Sequence, residues 1–499
     1  MLRDYGLQAK VFMREQRYIK YIKKNRFQLA VIVLCSLLCI CLMPYFISLS
    51  DKLIERSAAT YGGEINVIIA FVAIIVVPFF MIHLLFHASL STFTAVVVSL
   101  FPLITRSANF FSLPGYTSWY GTPVGIGGLE LLVPFFMVYA VFRYGFRWKG
   151  VGWNLPSIQW YKLLVVSGIF CQFFFTSFFK AIPLAYLVVV PQFLLILLVI
   201  ASVKTEDDVI KILWGIIIAV TISSLLTVTT QQSVEGSLGT FRLASNAISF
   251  YGAVLASALC LIPMLLFLES NWFKRIFLGV LFVFFVMQLA MTMTRGAYIS
   301  VLPILGYLFL LNKKDRTSFA LVAIAIIVMI VSVFGDELFF YLTAREFYFD
   351  SRFFGIANVH GRFEGAWYTL KRLLTEFPNF FVGFGKGTYQ NWDNVGIGGT
   401  AGVNSVHQGL LAIWSTAGLA ALIGFLGCFY HIYSFTLKKW SGLEYSKKIL
   451  LGGIILALSS WVIYLNTSFI NYAGSPISAT SFITIEMGLA IFLTQKMNN

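Results

Sequence analysis

Residues Pro183–Ala201 read PLAYLVVVPQFLLILLVIA, nineteen consecutive residues without a charged side chain. A bilayer core is about 30 Å thick, so a helix needs roughly 20 apolar residues to cross it. Fourteen predominantly apolar stretches follow one another, at residues 27–49, 65–86, 89–105, 127–142, 160–178, 183–201, 209–229, 248–268, 275–293, 296–311, 317–335, 406–434, 449–468 and 474–495. The sequence therefore predicts an all-α, polytopic membrane protein with about 14 (12–14) transmembrane helices.

The composition excludes a soluble protein. Of the 499 residues, 59% are apolar and 11% are charged, whereas soluble domains average about 25% charged residues. The net charge is +15, but the basic residues stand in short clusters between apolar stretches, which is typical of a topology signal. The implied partner is the lipid bilayer, with no nucleic acid. The six cysteines lie inside apolar stretches without CxxC spacing, so they predict buried small side chains and no metal site.

The distribution of Lys and Arg predicts the orientation. With the N-terminus in the cytoplasm, 24 of the 36 basic residues fall on the cytoplasmic side, as the positive-inside rule requires. Both termini are then cytoplasmic. The chain divides into a basic cytoplasmic segment (1–26), a transmembrane bundle (27–335), a large extracytoplasmic, or periplasmic, loop (336–405) and C-terminal transmembrane helices (406–499).

Some basic residues fall on the external side, where topology does not explain them. Arg295 lies between two apolar stretches, in AMTMTRGAYISVL. An arginine costs up to about 2.5–3.5 kcal/mol at the bilayer centre. Two interpretations stay open: Arg295 reaches to the headgroup level, or it binds an anion in the bundle interior. Arg242 is a second external arginine.

The long loop contains one helical pattern. From Phe363 to Phe377 apolar residues recur at spacings of three and four, and Pro378 ends the pattern. This predicts an amphipathic helix on the membrane surface, with Trp367 at the interface. Arg362 comes at its N-terminus, where the helix dipole favours an anion.

A glycine-rich segment, VGFGKGTYQ (Val382–Gln390), follows this helix. Its three glycines and Lys386 predict either an anion-binding nest or a plain turn. The external side has no Asp-x-Asp pair, and Glu364 stands alone. These residues therefore predict chemistry without a metal.

His407 follows Asn404 and Ser405, which are good helix N-cap residues. The positive end of a helix dipole lowers the pKa of a histidine, and a neutral imidazole is what a general base requires. The alternative is an interfacial histidine that caps the helix. His360 is a further external histidine. One neutral base with external arginines suits a lipid-linked pyrophosphate substrate, because guanidinium groups hold and neutralise the leaving group.

Four stretches resemble the O-antigen ligase and polymerase superfamily of bacterial polysaccharide assembly. They are GTFRLASNAISFYGAVLA (Gly239–Ala256), MTRGAYIS (Met293–Ser300), GRFEGAWYTLKRLLTEFPNFFVGFGKGTY (Gly361–Tyr389) and NSVHQGLLAIWSTAGLAALIGF (Asn404–Phe425). Two depart from the family pattern, because Ser-Asn-Ala replaces the Asn-Pro-Asn-like core and Thr294 replaces the Ser of Ser-Arg-Gly.

The resemblance implies a role for each of these segments. Arg295 and Arg362 would bind the pyrophosphate, Arg242 would support them, and His407 would be the catalytic base. The implied activity is inverting glycosyl transfer from an undecaprenyl-pyrophosphate-linked oligosaccharide, without a cofactor, on the outer face of a bacterial cytoplasmic membrane. The residues named as supporting candidates are Glu364, Trp367, Lys386, Asn404 and His360.

Three functions compete at this stage. A polymerase transfers the growing glycan to the next lipid-linked repeat unit and usually needs a chain-length regulator protein. A ligase transfers finished glycan to a lipid A core or a protein. The span count favours the polymerase. A flippase for the same lipid-linked oligosaccharide is expected to have short loops and charges within its spans, whereas this chain has one long external loop.

Overall fold

The computed structural model describes residues 88–105, 111–117, 123–126, 133–134, 136–137, 140, 152–175, 178–229, 233–235, 241–243, 248–292, 295–307, 311, 366–367, 369–385, 409–467 and 477–496. Nearly all of them belong to one compact unit, residues 90–499. The predicted spans 27–49, 65–86 and 317–335 lie outside the described residues.

Helices dominate the described part of the chain. They are α1 (Leu90–Thr105), α2 (Pro156–Phe175), α3 (Phe178–Ser202), α4 (Glu206–Thr229), α5 (Ile248–Leu268), α6 (Trp272–Met291), α7 (Arg295–Ser300), α8 (Asn379–Val382), α9 (Gly409–Ala417), α10 (Leu419–Trp440), α11 (Tyr445–Thr467) and α12 (Ile477–Ile491). A π-helical turn, Phe492–Lys496, extends α12. Residues 366–367 and 369–375 are also helical, and we call them the loop helix.

Two short antiparallel hairpins interrupt the helices. Strands β1 (Phe111–Thr117) and β2 (Pro123–Ile126) form one hairpin. Strands β3 (Ser233–Glu235) and β4 (Phe241–Leu243) form the other, and it sets Arg242 opposite Val234.

The helical membrane architecture is confirmed. Among the described residues, five helices are long and apolar enough to cross a bilayer: Glu206–Leu225, Tyr251–Leu268, Trp272–Leu289, Leu419–Trp440 and Tyr445–Asn466. The total of about 14 spans stays a prediction.

Two predicted spans differ from the structure. Residues 296–311 were expected to form one helix, but α7 ends at Ser300 and a 3₁₀ helix, Leu302–Gly306, follows. Pro303 explains the change, because proline lacks the backbone N–H and its ring clashes with the preceding helical turn. Residues 406–434 were also expected to be continuous, but Gly418 separates α9 from α10 with φ +88°.

Lysine contacts define one end of the bundle. Lys447 Nζ lies 3.4 Å from Glu206 Oε1, which joins the start of α11 to the start of α4. Lys439 Nζ donates to Thr494 O at 2.6 Å, and Lys496 Nζ donates to Ile200 O at 2.8 Å. We call this the basic end. Every lysine in these contacts falls on the predicted cytoplasmic side, so their gathering at one end agrees with the predicted alternation of helix directions.

The opposite end follows from the helix directions. Helix α2 begins at the basic end, where Ser157 N donates to Gln495 Oε1 at 3.2 Å. It ends against the α9–α10 junction, where Gln172 Nε2 donates to Thr416 O at 3.2 Å. Helix α10 then returns to the basic end. We call the end that holds the α9–α10 junction the loop end, because residues 380–384 contact that junction.

Between these two ends, neighbouring helices pack closely through glycine residues and form the core. A Cβ added at Gly215 of α4 would lie 2.5 Å from Ala95 O of α1. One added at Gly424 of α10 would lie 2.6 Å from Leu164 N of α2. Small residues permit such backbone approach, which is how membrane helices gain packing contacts without a hydrophobic driving force between them.

Candidate functional site

Arg295 begins α7 at the loop end. Helix α6 starts at the basic end, where Lys274 Nζ lies 5.9 Å from the Trp214 ring centroid, and it runs to Met291 at the loop end. Helix α7 packs against α5 and α11. The backbone of Arg295 therefore lies where helix α7 begins at the loop end, a position that suits both interpretations of this residue.

Arg242 lies in the β3–β4 hairpin, and β4 contacts α6. Strand β4 precedes α5 by only a few residues. Helix α5 begins at the loop end because it runs antiparallel to α4 and α6. The segments that carry Arg242 and Arg295 thus share the loop end.

A buried polar cluster joins the helices beneath these segments. The Tyr251 hydroxyl of α5 lies 2.8 Å from Ser224 Oγ of α4 and 3.1 Å from Gln288 Oε1 of α6. All three side chains are buried. The sequence analysis missed this cluster, and the signal for it was two polar residues, Ser224 and Gln288, inside apolar stretches. Buried polar groups are costly unless they are hydrogen-bonded. Moving the end of α4 or of α6 would break these hydrogen bonds, so the cluster keeps the two helix ends aligned.

The loop helix confirms the predicted helical pattern before Pro378. It runs to Thr375, and a turn over residues 376–378 follows. Arg372 Nε and Nη2 donate to Glu376 Oε1 and Oε2 at 2.7 and 2.8 Å. These bonds lower the pKa of the Glu376 carboxyl. Arg372 therefore serves the loop itself and is not a free anion-binding group.

The apolar face of the loop helix is divided. Leu373 is fully buried and Ala366 is buried, whereas Trp367 is 60% exposed and Leu374 is 56% exposed. Phe377, just beyond the helix, is 81% exposed. The apolar face of the loop helix, which was predicted to be one surface, is therefore divided: part of it packs on the protein and part of it is exposed. An outward tryptophan beside other apolar side chains suits the predicted interfacial position of Trp367.

The glycine-rich segment begins with a turn that packs on the protein. Gly383 and Gly385 have φ of 70° and 73°. The Phe384 N–H between them donates to Ser415 O at 2.5 Å. An anion nest needs its N–H groups directed at the anion, so the turn interpretation holds for this part of the segment.

The α9–α10 junction receives side chains from α2. Ser167 Oγ and Cys171 Sγ both donate to Ala417 O, at 2.7 and 3.0 Å. The last carbonyl groups of a helix have no partner within it, so α2 supplies partners for the end of α9. Helix α9 begins at Gly409, where an added Cβ would lie 2.8 Å from Leu465 O of α11.

The other predicted site residues lie outside the described residues. They are His360, Arg362, Glu364, Lys386, Asn404 and His407. In sequence, Arg362 comes four residues before Ala366 of the loop helix, and His407 comes two residues before Gly409 of α9. Their predicted roles stay predictions.

Comparison with known families finds a match in the second half of the chain. Residues 280–426 match a family described as O-antigen ligase. The matched region runs from within α6 into α10 and includes Arg295, Arg362 and His407. It confirms the resemblance to the O-antigen polymerase and ligase superfamily. A comparison with curated proteins finds no match.

Proposed function

We propose that this membrane protein, with its O-antigen ligase region at residues 280–426, is an O-antigen-type polysaccharide polymerase. It transfers glycan from undecaprenyl pyrophosphate to a lipid-linked repeat unit on the outer face of the cytoplasmic membrane. The family match supports glycan transfer of the O-antigen polymerase or ligase type, and the predicted number of spans is what favours the polymerase. The loop-end position of α7 and of the α9–α10 junction supports it, because groups from separate segments must meet at one end of the bundle to act on one substrate.

The reaction is a displacement at the anomeric carbon. His407 accepts the proton of the acceptor hydroxyl, and that oxygen forms the new glycosidic bond with inversion. The bond between the anomeric carbon and the pyrophosphate oxygen breaks, and its electron pair leaves with the lipid pyrophosphate. Arg295 and Arg362 neutralise the growing charge, and Arg242 supports them. The arginines thereby do what a metal ion does in other transferases.

A ligase is the second candidate. The description of the matched family as O-antigen ligase favours it. The donor and the arginine and histidine roles are the same, and only the acceptor differs: a lipid A core or a protein instead of a lipid-linked repeat unit. A chain-length regulator protein is an expected partner of the polymerase alone.

The first experiment compares surface glycans from a deletion strain that carries either the wild-type protein or His407→Ala at equal membrane levels. We expect the glycan ladder to collapse to single repeat units. Full-length glycan that accumulates on the carrier lipid and is missing from the core would identify a ligase. A normal ladder would refute the role of His407 and reopen the transporter interpretation.

A further inference from the structure

We propose that Gly383, Trp414 and Gly418 are positioning residues, which clamp the loop helix to the α9–α10 junction and so hold Arg362 and His407 in reacting geometry. We call the contacts between residues 380–384 and 414–418 the clamp. The inference rests on the proposed function, since it concerns how that site is assembled.

Two hydrogen bonds connect the two sides of the clamp. Phe384 N–H donates to Ser415 O at 2.5 Å. The Trp414 indole N–H donates to Phe380 O at 2.7 Å. The Phe380 and Trp414 rings also meet edge to face, with centroids 5.5 Å apart. Residues more than thirty positions apart in sequence are thus joined by backbone and aromatic contacts together.

Two glycines make this approach possible. A Cβ added at Gly383 would lie 2.6 Å from both Trp414 O and Ser415 O, and one added at Gly418 would lie 2.5 Å from Phe381 O. The opposing atoms belong to backbone, so they cannot turn aside as a side chain would. Both glycines also have φ in the left-handed region, +70° and +88°, which other residues adopt at a cost.

Each side of the clamp is fixed to a different structure. On the junction side, Ser167, Cys171 and Gln172 of α2 bond the last carbonyl groups of α9. On the loop side, the Arg372 guanidinium lies 5.0 Å from the Phe384 ring centroid and also pairs with Glu376. The clamp therefore connects the bundle to the loop helix.

In sequence, the two predicted reacting groups adjoin the segments that the clamp connects. Arg362 comes four residues before the described start of the loop helix, and His407 comes two residues before α9. Displacement by about 1 Å can cost about 10²-fold in rate. A loosened clamp should therefore lower kcat, because His407 takes the proton and Arg362 stabilises the charge that grows as the bond breaks. The proposed contact of Arg295 with the donor does not depend on the clamp, so the donor KM should stay near its wild-type value.

The test compares purified Gly383→Ala and Trp414→Phe with Gly279→Ala, in lipid nanodiscs with a lipid-linked donor. Gly279, on α6, has nothing within 4 Å of an added Cβ, so it is a matched glycine control. Trp414→Phe keeps a ring beside Phe380 and removes only the indole N–H donor. We expect kcat to fall about 10²-fold for Gly383→Ala and about 10-fold for Trp414→Phe, with donor KM within about 3-fold.

Hydrogen exchange separates a loosened clamp from a damaged fold. In both clamp variants, exchange should quicken at residues 369–375 and stay unchanged in α10. If kcat equals that of Gly279→Ala, or if α10 exchanges faster in step with lost activity, the positioning role is wrong. If Gly383→Ala does not fold, Trp414→Phe alone decides the matter.

The same assay separates the clamp from the proposed function. If His407→Ala is inactive and the clamp variants are fully active, the proposed transferase function is supported and the positioning role of the clamp is refuted. A fully active His407→Ala would remove the proposed function, and with it the positioning role that rests on it.

Discussion

At the basic end, lysine side chains bind groups near the ends of neighbouring helices. At the loop end, by contrast, the backbones of two segments are in direct contact. Lys439 and Lys496 reach carbonyl groups of neighbouring segments, and Lys447 pairs with Glu206. At the loop end, Gly383 and Gly418 bring main chains to within contact distance. Long flexible side chains tolerate small shifts in their partners, but backbone contacts through glycine do not. The difference indicates that relative position matters more at the loop end.

The basic side chains of the two ends also differ in their expected roles. The basic-end lysines are committed to carbonyl and carboxylate groups of the protein. The Lys447–Glu206 ion pair is partly exposed to solvent and adds little stability, so the main effect of these lysines is on topology. Arg242 and Arg295 lie in elements at the loop end, and the substrate pyrophosphate is their proposed partner.

The largest expected contrast concerns these cations. Arg295→Ala should lower glycan transfer by about 10²–10³-fold, since it removes a group that stabilises the leaving pyrophosphate. Lys439→Met, at the basic end, should change transfer by less than about 2-fold. Transfer is measured with a lipid-linked donor at matched protein levels. Equal losses at both ends would show that charge acts only through insertion and stability.

A smaller effect should separate the glycines of the two ends. Gly418→Ala should destabilise the protein by about 1–3 kcal/mol, because of backbone strain and overpacking against Phe381 O. Gly442→Ala, in the turn after α10, should stay within about 0.5 kcal/mol, since an added Cβ meets nothing nearer than Lys439 O at 3.8 Å. Thermal unfolding in detergent measures both. Comparable shifts for the two variants would contradict the distinction.

The smallest effect concerns the Arg372–Glu376 pair. Because Arg372 lowers the pKa of Glu376, the pair stabilises the loop above the ordinary carboxyl pKa of about 4.3, and this stabilisation is lost as the pH falls through the lowered value. Glu376 is 43% exposed, so screening limits the contribution to below about 1 kcal/mol. Glu376→Gln should quicken hydrogen exchange of the loop helix slightly at pH 7, and high salt should reduce the difference. A large change that salt does not affect would contradict a surface pair.

Several features follow from local sequence. The apolar stretches predict the helices α2 to α6, α11 and α12, and their bounds in the structure lie close to the predicted ones. Pro378 correctly predicts the end of the loop helix. These agreements have a common cause. The free energy of transfer into a bilayer and the missing N–H of proline depend on single residues, so both can be read from the local sequence.

Other features depend on distant partners. Gly418 lies inside an apolar stretch, where a glycine suits a continuous membrane helix as well as a helix end. In the structure the helix ends there, with Gly418 at φ +88° and Phe381 O close to it. The division of the apolar face of the loop helix into a buried and an exposed part also depends on distant partners. Leu373 and Leu374 are alike in polarity, and only the packing of the helix on the protein buries the first and exposes the second.

The amino-acid sequence was sufficient for the membrane class, the helical pattern and the gathering of lysines at one end, since hydrophobicity, charge and proline geometry are properties of individual residues. The clamp, by contrast, could be identified only from the tertiary structure. It depends on Phe380 meeting Trp414 and on Phe384 meeting Ser415, contacts whose distance is set by how α2, α9 and α10 pack. Local periodicity carries no information on such approaches, because the same glycines and aromatic residues suit a plain turn and a lipid-facing helix equally well.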